Sequence, residues 1–324
     1  MPLTQLNFQP GLDTENTPTG AEGRWVDGDK IRFRKGLPQK IGGWTKFSAD
    51  YYVGIGRALE QWFSLDGSRY EALGTDRKVY VYQSGDNQDI TPIRSTDALV
   101  NAISTTTSSN IITITDTSHG ALQGDFVTLS SVSTAVAGIP AATLDAEYEI
   151  LSISNANAYT IESSATANAN TGPTANCTAT YQLNIGPSVQ TFGYGWGAST
   201  WGASTWGTPR STSSVILDAR LWSINNWGED LVITQKDGGT YEWDLSLGMS
   251  TNRATAIANA PTTSTLSLVS TETRHVICMG TETTIGDSTT FDKMFIRWSD
   301  QENYNFWTPN VTNSAGSQRI AGGS

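Results

Sequence analysis

The chain has 324 residues, 37% of them hydrophobic and only 16% charged, with Thr, Ser, Gly and Asn filling the gap; that balance belongs to a turn-rich all-β protein. A net charge of −11 argues against nucleic-acid binding as the main task, because phosphate contacts need clustered Lys and Arg. Cys177 and Cys278 stand far apart without a CxxC or Cys/His cluster, which argues against a disulfide framework or a zinc site and for two buried thiols.

Residues 1–46 read as an extended arm followed by a basic strand. The start, "MPLTQLNFQPG", lacks the basic-then-apolar order of a signal peptide. Between Arg24 and Lys46 seven basic residues stand against two aspartates. Ile31-Arg-Phe-Arg alternates as a strand, with a turn expected at Gly36-Leu-Pro38 and a corner at Gly42-Gly43-Trp44. Asp27-Gly28-Asp29 lacks the further oxygen ligands of a calcium loop and reads as a turn. Arg24, Trp25, Lys30, Arg32, Phe33 and Arg34 are the candidate residues of a seam between subunits.

A first blade is expected over 47–94. It holds an apolar strand, an Asp66-Gly67 hairpin, a second strand, a turn at Thr75-Asp76-Arg77, the alternating Val79-Tyr-Val-Tyr82, and a closing strand ending at Thr91-Pro92-Ile93. Residues 95–187 read as a separate small β-sandwich or barrel inserted after it. From Ser95 to Pro209 there is no Lys or Arg, against four aspartates and three glutamates. A Trp- and Gly-rich connector follows at 188–214, where "WGASTWGASTWGT" spaces Trp196, Trp201 and Trp206 five apart. That interval alternates faces on a strand and walks around a helix, so these side chains need cover from elsewhere.

Over 215–324 the blade pattern returns twice. In "RLWSINNWGEDLVITQKDGGTYEWDLS", Trp222 stands for Trp62, Leu231-Val-Ile233 for the second strand and Tyr241-Glu-Trp243 for Tyr80-Val-Tyr82. In the unit beginning at Arg274, Phe295-Ile-Arg-Trp298 takes the third strand and Thr308-Pro309 falls where Thr91-Pro92 fell. The fold class is therefore an all-β, incomplete or irregular propeller-like platform with an inserted small β domain. Three blades do not close a ring. Either other subunits complete it or the protein continues past 324, and the second is the expectation. "QRIAGGS" would then lie inside the next unit.

Catalytic constellations are not found. His119 lies in a Ser-His-Gly turn and His275 opens a strand on the face opposite Cys278. No phosphate-binding loop, nucleophile elbow or zinc-protease motif occurs, and the GxG pairs lack a third glycine and helix. Asp66, Glu229, Asp230 and Asp300 could serve as glycosidase carboxylates, but read better as solvated turn residues. The chain is expected to be no enzyme and to need no cofactor or metal. No run approaches about 18 apolar residues, so no membrane span is expected.

The phrases "FQPGLDTENTPTGAEGRWVDGDKIRFRKGLPQKIGGW", "SHGALQGDFVTLS", "YGWGASTWG" and "RWSDQENYNFWTPNVTNSAGSQRI" resemble the tail nozzle (tail tubular) proteins of short-tailed double-stranded-DNA phages, and the related packaged-DNA stabilisation hubs. The resemblance implies a structural virion protein, made in the host cytoplasm, in a homo-oligomeric ring (a hexamer). It also implies adaptor and portal proteins above, tail fibres alongside, and transient passage of DNA. The acidic chain suits such a passage, since a basic wall would hold phosphate. A second reading is a receptor- or carbohydrate-binding virion protein, with Trp196, Trp201 and Trp206 as stacking surfaces. A secreted propeller enzyme is disfavoured by the start of the chain and the missing catalytic cluster.

Overall fold

The computed structural model describes residues 9–43, 45, 46, 48, 50–184, 219–249 and 252–320. The chain divides into two compact units, Met1–Ala49 and Asp50–Ser324. In the first, the segment expected to be extended folds back on itself. Gln9 N donates to Gly23 O at 3.0 Å and Asp13 N to Trp25 O at 2.7 Å. Asp13 stabilises the return, accepting from the Asn16 side chain and from Arg24 Nη1 at 3.3 Å. Strands β1 (Ile31–Arg34) and β2 (Leu37–Lys40) then form a hairpin. Its turn is Lys35-Gly36, not Gly36-Leu-Pro38. Both turn residues have positive φ, 51° and 80°, as a two-residue hairpin turn demands, and Pro38 sits within β2.

The second unit is all-β, with the single α-helix α1 (Ala141–Leu144) among the described residues. Its first sheet is the antiparallel meander β3 (Gly56–Phe63), β4 (Arg69–Thr75), β5 (Val79–Gln83) and β6 (Asp86–Asp89). The chain then enters β7 (Ile93–Leu99), β8 (Ile103–Thr105), β9 (Ile111–Thr115), β10 (Phe126–Ser130), β11 (Glu147–Asn155), β12 (Ala158–Glu162), β13 (Thr171–Thr174) and β14 (Cys177–Gln182). These form one eight-stranded sheet in the order β13-β8-β9-β12-β11-β10-β14-β7, bent around a core of its own. β11 makes the bend: it leaves β10 for β12 through two bulges. Its edge strands β13 and β7 are not paired with each other, so the sheet does not close into a barrel.

Two further meanders follow: β15 (Trp222–Trp227), β16 (Asp230–Gln235), β17 (Thr240–Trp243), β18 (Thr255–Ala256); and β19 (Ser264–Val269), β20 (Val276–Glu282), β21 (Phe291–Trp298), β22 (Gly316–Arg319). Three expectations change here. The third unit begins at β19, ahead of Arg274. Thr308-Pro309 precedes the fourth strand of its sheet, whereas Thr91-Pro92 follows the fourth strand of the first. "SQR" of the terminal phrase lies in β22, paired with β21, and not in a next unit.

The three meanders stack in one sense. β15 packs on β3 and β4, and β19 packs on β15 and β16. The middle sheet is thus covered on both faces, and β16 shows it: Leu231 and Ile233 join the core toward the first sheet, Val232 the core toward the third. A strand buried on both faces reads as an unbroken apolar run, which "LVI" is. Trp62 and Trp222 meet in the first of these cores, and the counterpart of Trp62 at the end of the first strand is Trp227. Polar ends of the tryptophans fasten the stack: Trp62 Nε1 donates to Glu229 O at 2.9 Å, Trp222 Nε1 to Thr75 O at 2.6 Å. Trp222 lies directly over Gly74, where a Cβ would come within 3.0 Å of it.

Candidate interaction surfaces

The basic hairpin presents its charges outward. Arg32 and Arg34 are exposed while Ile31 and Phe33 alternate with them, half-buried, and Arg32 Nε donates across to Gln39 Oε1 at 3.2 Å. Lys30 and Arg24 are exposed too, Lys30 beside Asp29 and Arg24 beside Asp13. Arg24 and Trp25 belong to the folded-back loop, and Lys30, Arg32, Phe33 and Arg34 to the hairpin and its start. Trp196, Trp201 and Trp206 lie outside the described residues. So does Trp44.

A second feature, invisible in the sequence, joins the inserted sheet to the meanders. Lys78, buried at the start of β5, pairs with Asp89 at 2.9 Å and with Glu147 of β11, and its Nζ lies 4.3 Å from the centre of the Phe126 ring. Arg253 pairs with Asp89 at 3.2 Å and approaches Glu147 at 3.8 Å. Gln182 of β14 donates to Glu147 at 2.6 Å. First sheet, inserted sheet and second sheet thus share one charge-balanced knot. Burial works to raise the Asp89 carboxyl, but Lys78 and Arg253 outweigh it and hold the group below the usual carboxylate range. Arg77 and Glu149, 2.7 Å apart, extend the junction at its rim.

The third feature is a cleft of about 770 Å³ where first-to-second-strand loops of all three meanders converge. Phe63 and Leu65 line it from the first, Trp227, Glu229 and Asp230 from the second, and Arg274 from the third. Burial, and then the charges of Asp244 and Glu229, push the Asp230 carboxyl above its usual range, against a hydrogen bond from Leu245 N and the charge of Arg274. A raised carboxyl among others is the raw material of a glycosidase acid. Here, however, Asp230 accepts from Leu245 N at 2.9 Å and Glu229 from Leu65 N at 2.8 Å, so both anchor loops. The aromatic faces are occupied as well. Arg274 sits 5.0 Å over Trp227, and Tyr304 meets it edge-on at 5.3 Å. The other two candidate carboxylates cap turns: Asp66 accepts from Ser64 and Ser68, and Asp300 from Gln301 and Ser314.

Both histidines bond backbone groups, and both cysteines are buried free thiols. His119 bonds Asn155 O and Ala121 N inside the inserted sheet, and His275 bonds Ser299 O. Burial pushes both thiols up to about 11; Cys177 and Cys278 lie in different cores. No group of three or more metal-ligating side chains occurs among the described residues, and no helix there is long and apolar enough to cross a membrane.

No protein family and no curated protein matches the sequence. Among solved structures the chain is similar to one titled "Phage phi92 endosialidase", at 13% identity and a TM-score of 0.24. The match covers 88% of this chain and 40% of that one. At that level it carries nothing into the functional reading.

Proposed function

We propose that the chain is a structural subunit of a phage virion, a tail nozzle protein whose copies form a ring through which DNA is retained and then ejected. The observation that supports it most is the stack itself: three meanders packed in one sense, each new contact repeating the one before. A row that repeats one contact suits a ring better than a compact pair. The outward-facing basic hairpin adds a second contact of the kind an assembling subunit needs, and the quoted phrases resemble nozzle proteins. On this reading the chain has no catalytic task, and the carboxylates of the cleft serve as loop anchors.

Native mass spectrometry or light scattering on the full chain tests this. A defined assembly of several copies is the expected outcome, and a monomer at micromolar concentration would sink the proposal. Glycan binding at the cleft is the rival. Saturable binding by an oligosaccharide, lost in Asp230→Ala, would favour it.

A further inference from the structure

The cleft at the first-to-second-strand loops holds more negative charge than the positive charge beside it. Among its described lining residues, Glu229, Asp230, Asp244 and Glu302 stand against Arg274. Arg274 is itself engaged with the Trp227 ring, 5.0 Å from its centre. Burial, and then the charges of Asp244 and Glu229, hold the Asp230 carboxyl above its usual range, as carboxylates crowded together without enough cation among them do. The wall from the first meander is apolar: Phe63 is 58% exposed and Leu65 92%. A partner suited to this cleft carries cations and an apolar side chain close together.

The basic hairpin of the first unit has that chemistry. Strand alternation and the pairings of Arg34 with Leu37 and Arg32 with Gln39 put these four side chains on one face. All four are exposed, Leu37 at 70%. The face thus shows two guanidinium groups, at alternate positions about 7 Å apart along the strand, beside a bare leucine. Lys35, exposed at the turn, adds a third cation at the tip. The chain enters the meanders at the other end of β3 from the cleft. Ile55 N donates to Asp76 Oδ1 at 2.6 Å just before the strand begins, whereas Phe63 ends it, about 23 Å further on at strand spacing.

We infer that the basic hairpin of one copy docks in the acidic cleft of the next, Leu37 against Phe63 and Leu65, Arg32 and Arg34 against the carboxylates. This rests on the ring-forming reading and names both halves of a seam. Apolar burial supplies the anchor, while the charges set the register and speed the encounter. Hairpin and cleft are different surfaces, so the contact is heterologous: each copy gives a hairpin to one neighbour and a cleft to the other.

Charge swaps on the full chain test it, read by native mass spectrometry, with circular dichroism and melting to check folding. Arg32→Glu with Arg34→Glu makes the hairpin acidic, and Asp244→Lys with Glu302→Lys makes the cleft basic. Each variant alone should need about 10-fold or more higher concentration to assemble than the unchanged chain. Mixed in equal amounts, the two should assemble together, because every hairpin then meets a cleft of opposite sign. Single variants that assemble like the unchanged chain, or a mixture that stays apart, overturn the inference while the ring reading stands. If the mixture stays apart but a chain carrying all four changes assembles, the hairpin occupies the cleft of its own copy. Saturable oligosaccharide binding in the cleft of the assembled chain overturns the inference as well. If the unchanged chain is itself monomeric, both fall. Should the cleft variant fail to fold, the same mixing is done with one charge on each side, Glu302→Lys against Arg34→Glu, Glu302 being exposed; absence of rescue there overturns the inference.

Discussion

Lys78 is a residue whose loss should be felt well beyond its own sheet. Removing a buried cation leaves Asp89 and Glu147 facing each other with only Arg253 between them. Breaking such a pair from one side costs roughly 3–5 kcal/mol. Lys78→Met should therefore lower the melting temperature sharply, as read by calorimetry. The same knot sets a pH dependence. A carboxyl held below its unfolded value contributes stability above about pH 4 and loses it as pH falls through the lower, folded value. Acid unfolding of the parent should thus be steeper below pH 4 than that of Asp89→Asn. Asp230 has the opposite sign, since its carboxyl is raised in the fold. Asp230→Asn should stabilise at pH 7, with the gain disappearing as the parent's carboxyl takes up its proton. In the inserted core, Tyr181 Oη donates to buried Asp116 at 2.5 Å. Tyr181→Phe removes that donor and should cost about 1–3 kcal/mol. The exposed Arg32 and Arg34 carry no comparable structural burden. Reversing both charges should leave melting nearly unchanged and weaken assembly on a native mass spectrum; unchanged assembly would remove the hairpin from the seam.

Among elements, the close approach of Trp222 to Gly74 sets the spacing of the first two meanders. Gly74→Val inserts atoms where 3.0 Å remains, an overpacking that costs about 1–3 kcal/mol. Its signature should be a loss of near-ultraviolet dichroism from Trp62, Trp222 and Trp243 at unchanged strand content. Strands of this kind were legible in the sequence where a long apolar or aromatic alternation had to be buried, as in "VYVY" of β5 and "LVI" of β16. They were illegible where burial is one-sided and the residues small. "STLSLV" of β19 alternates Ser and Thr with Leu too weakly to announce a strand, so the third unit was expected to start a strand late. Pro38 draws the expected turn toward Gly36-Leu-Pro38 because proline usually marks turns, whereas the backbone has its positive φ at Lys35 and Gly36. The charged knot could not be read at all: Lys78, Glu147, Gln182 and Arg253 are brought together only by tertiary structure.

For the whole molecule, connectivity matters as much as shape. The inserted sheet leaves the platform after β6, and the described chain resumes shortly before β15. Asn184, on the near side of the Trp-rich connector, and Arg220, on the far side, are bonded directly: Arg220 Nη2 donates to Asn184 O at 3.0 Å, and Gln235 Nε2 donates to the same carbonyl at 3.1 Å. The described residues on the two sides of the connector are therefore held against one another. By loop-closure entropy, cutting its length about fourfold is worth only about 1 kcal/mol. Replacing 188–214 by a short Gly/Ser loop should leave the melting temperature within a few degrees; a large fall would show that the tryptophans hold the platform together. Because the first and second meanders share a core and the tryptophan hydrogen bonds that cross it, the polypeptide is not what keeps them together. Severed at an engineered protease site within the connector, the two pieces should elute as one particle and part only in denaturant, a single body made of two strings.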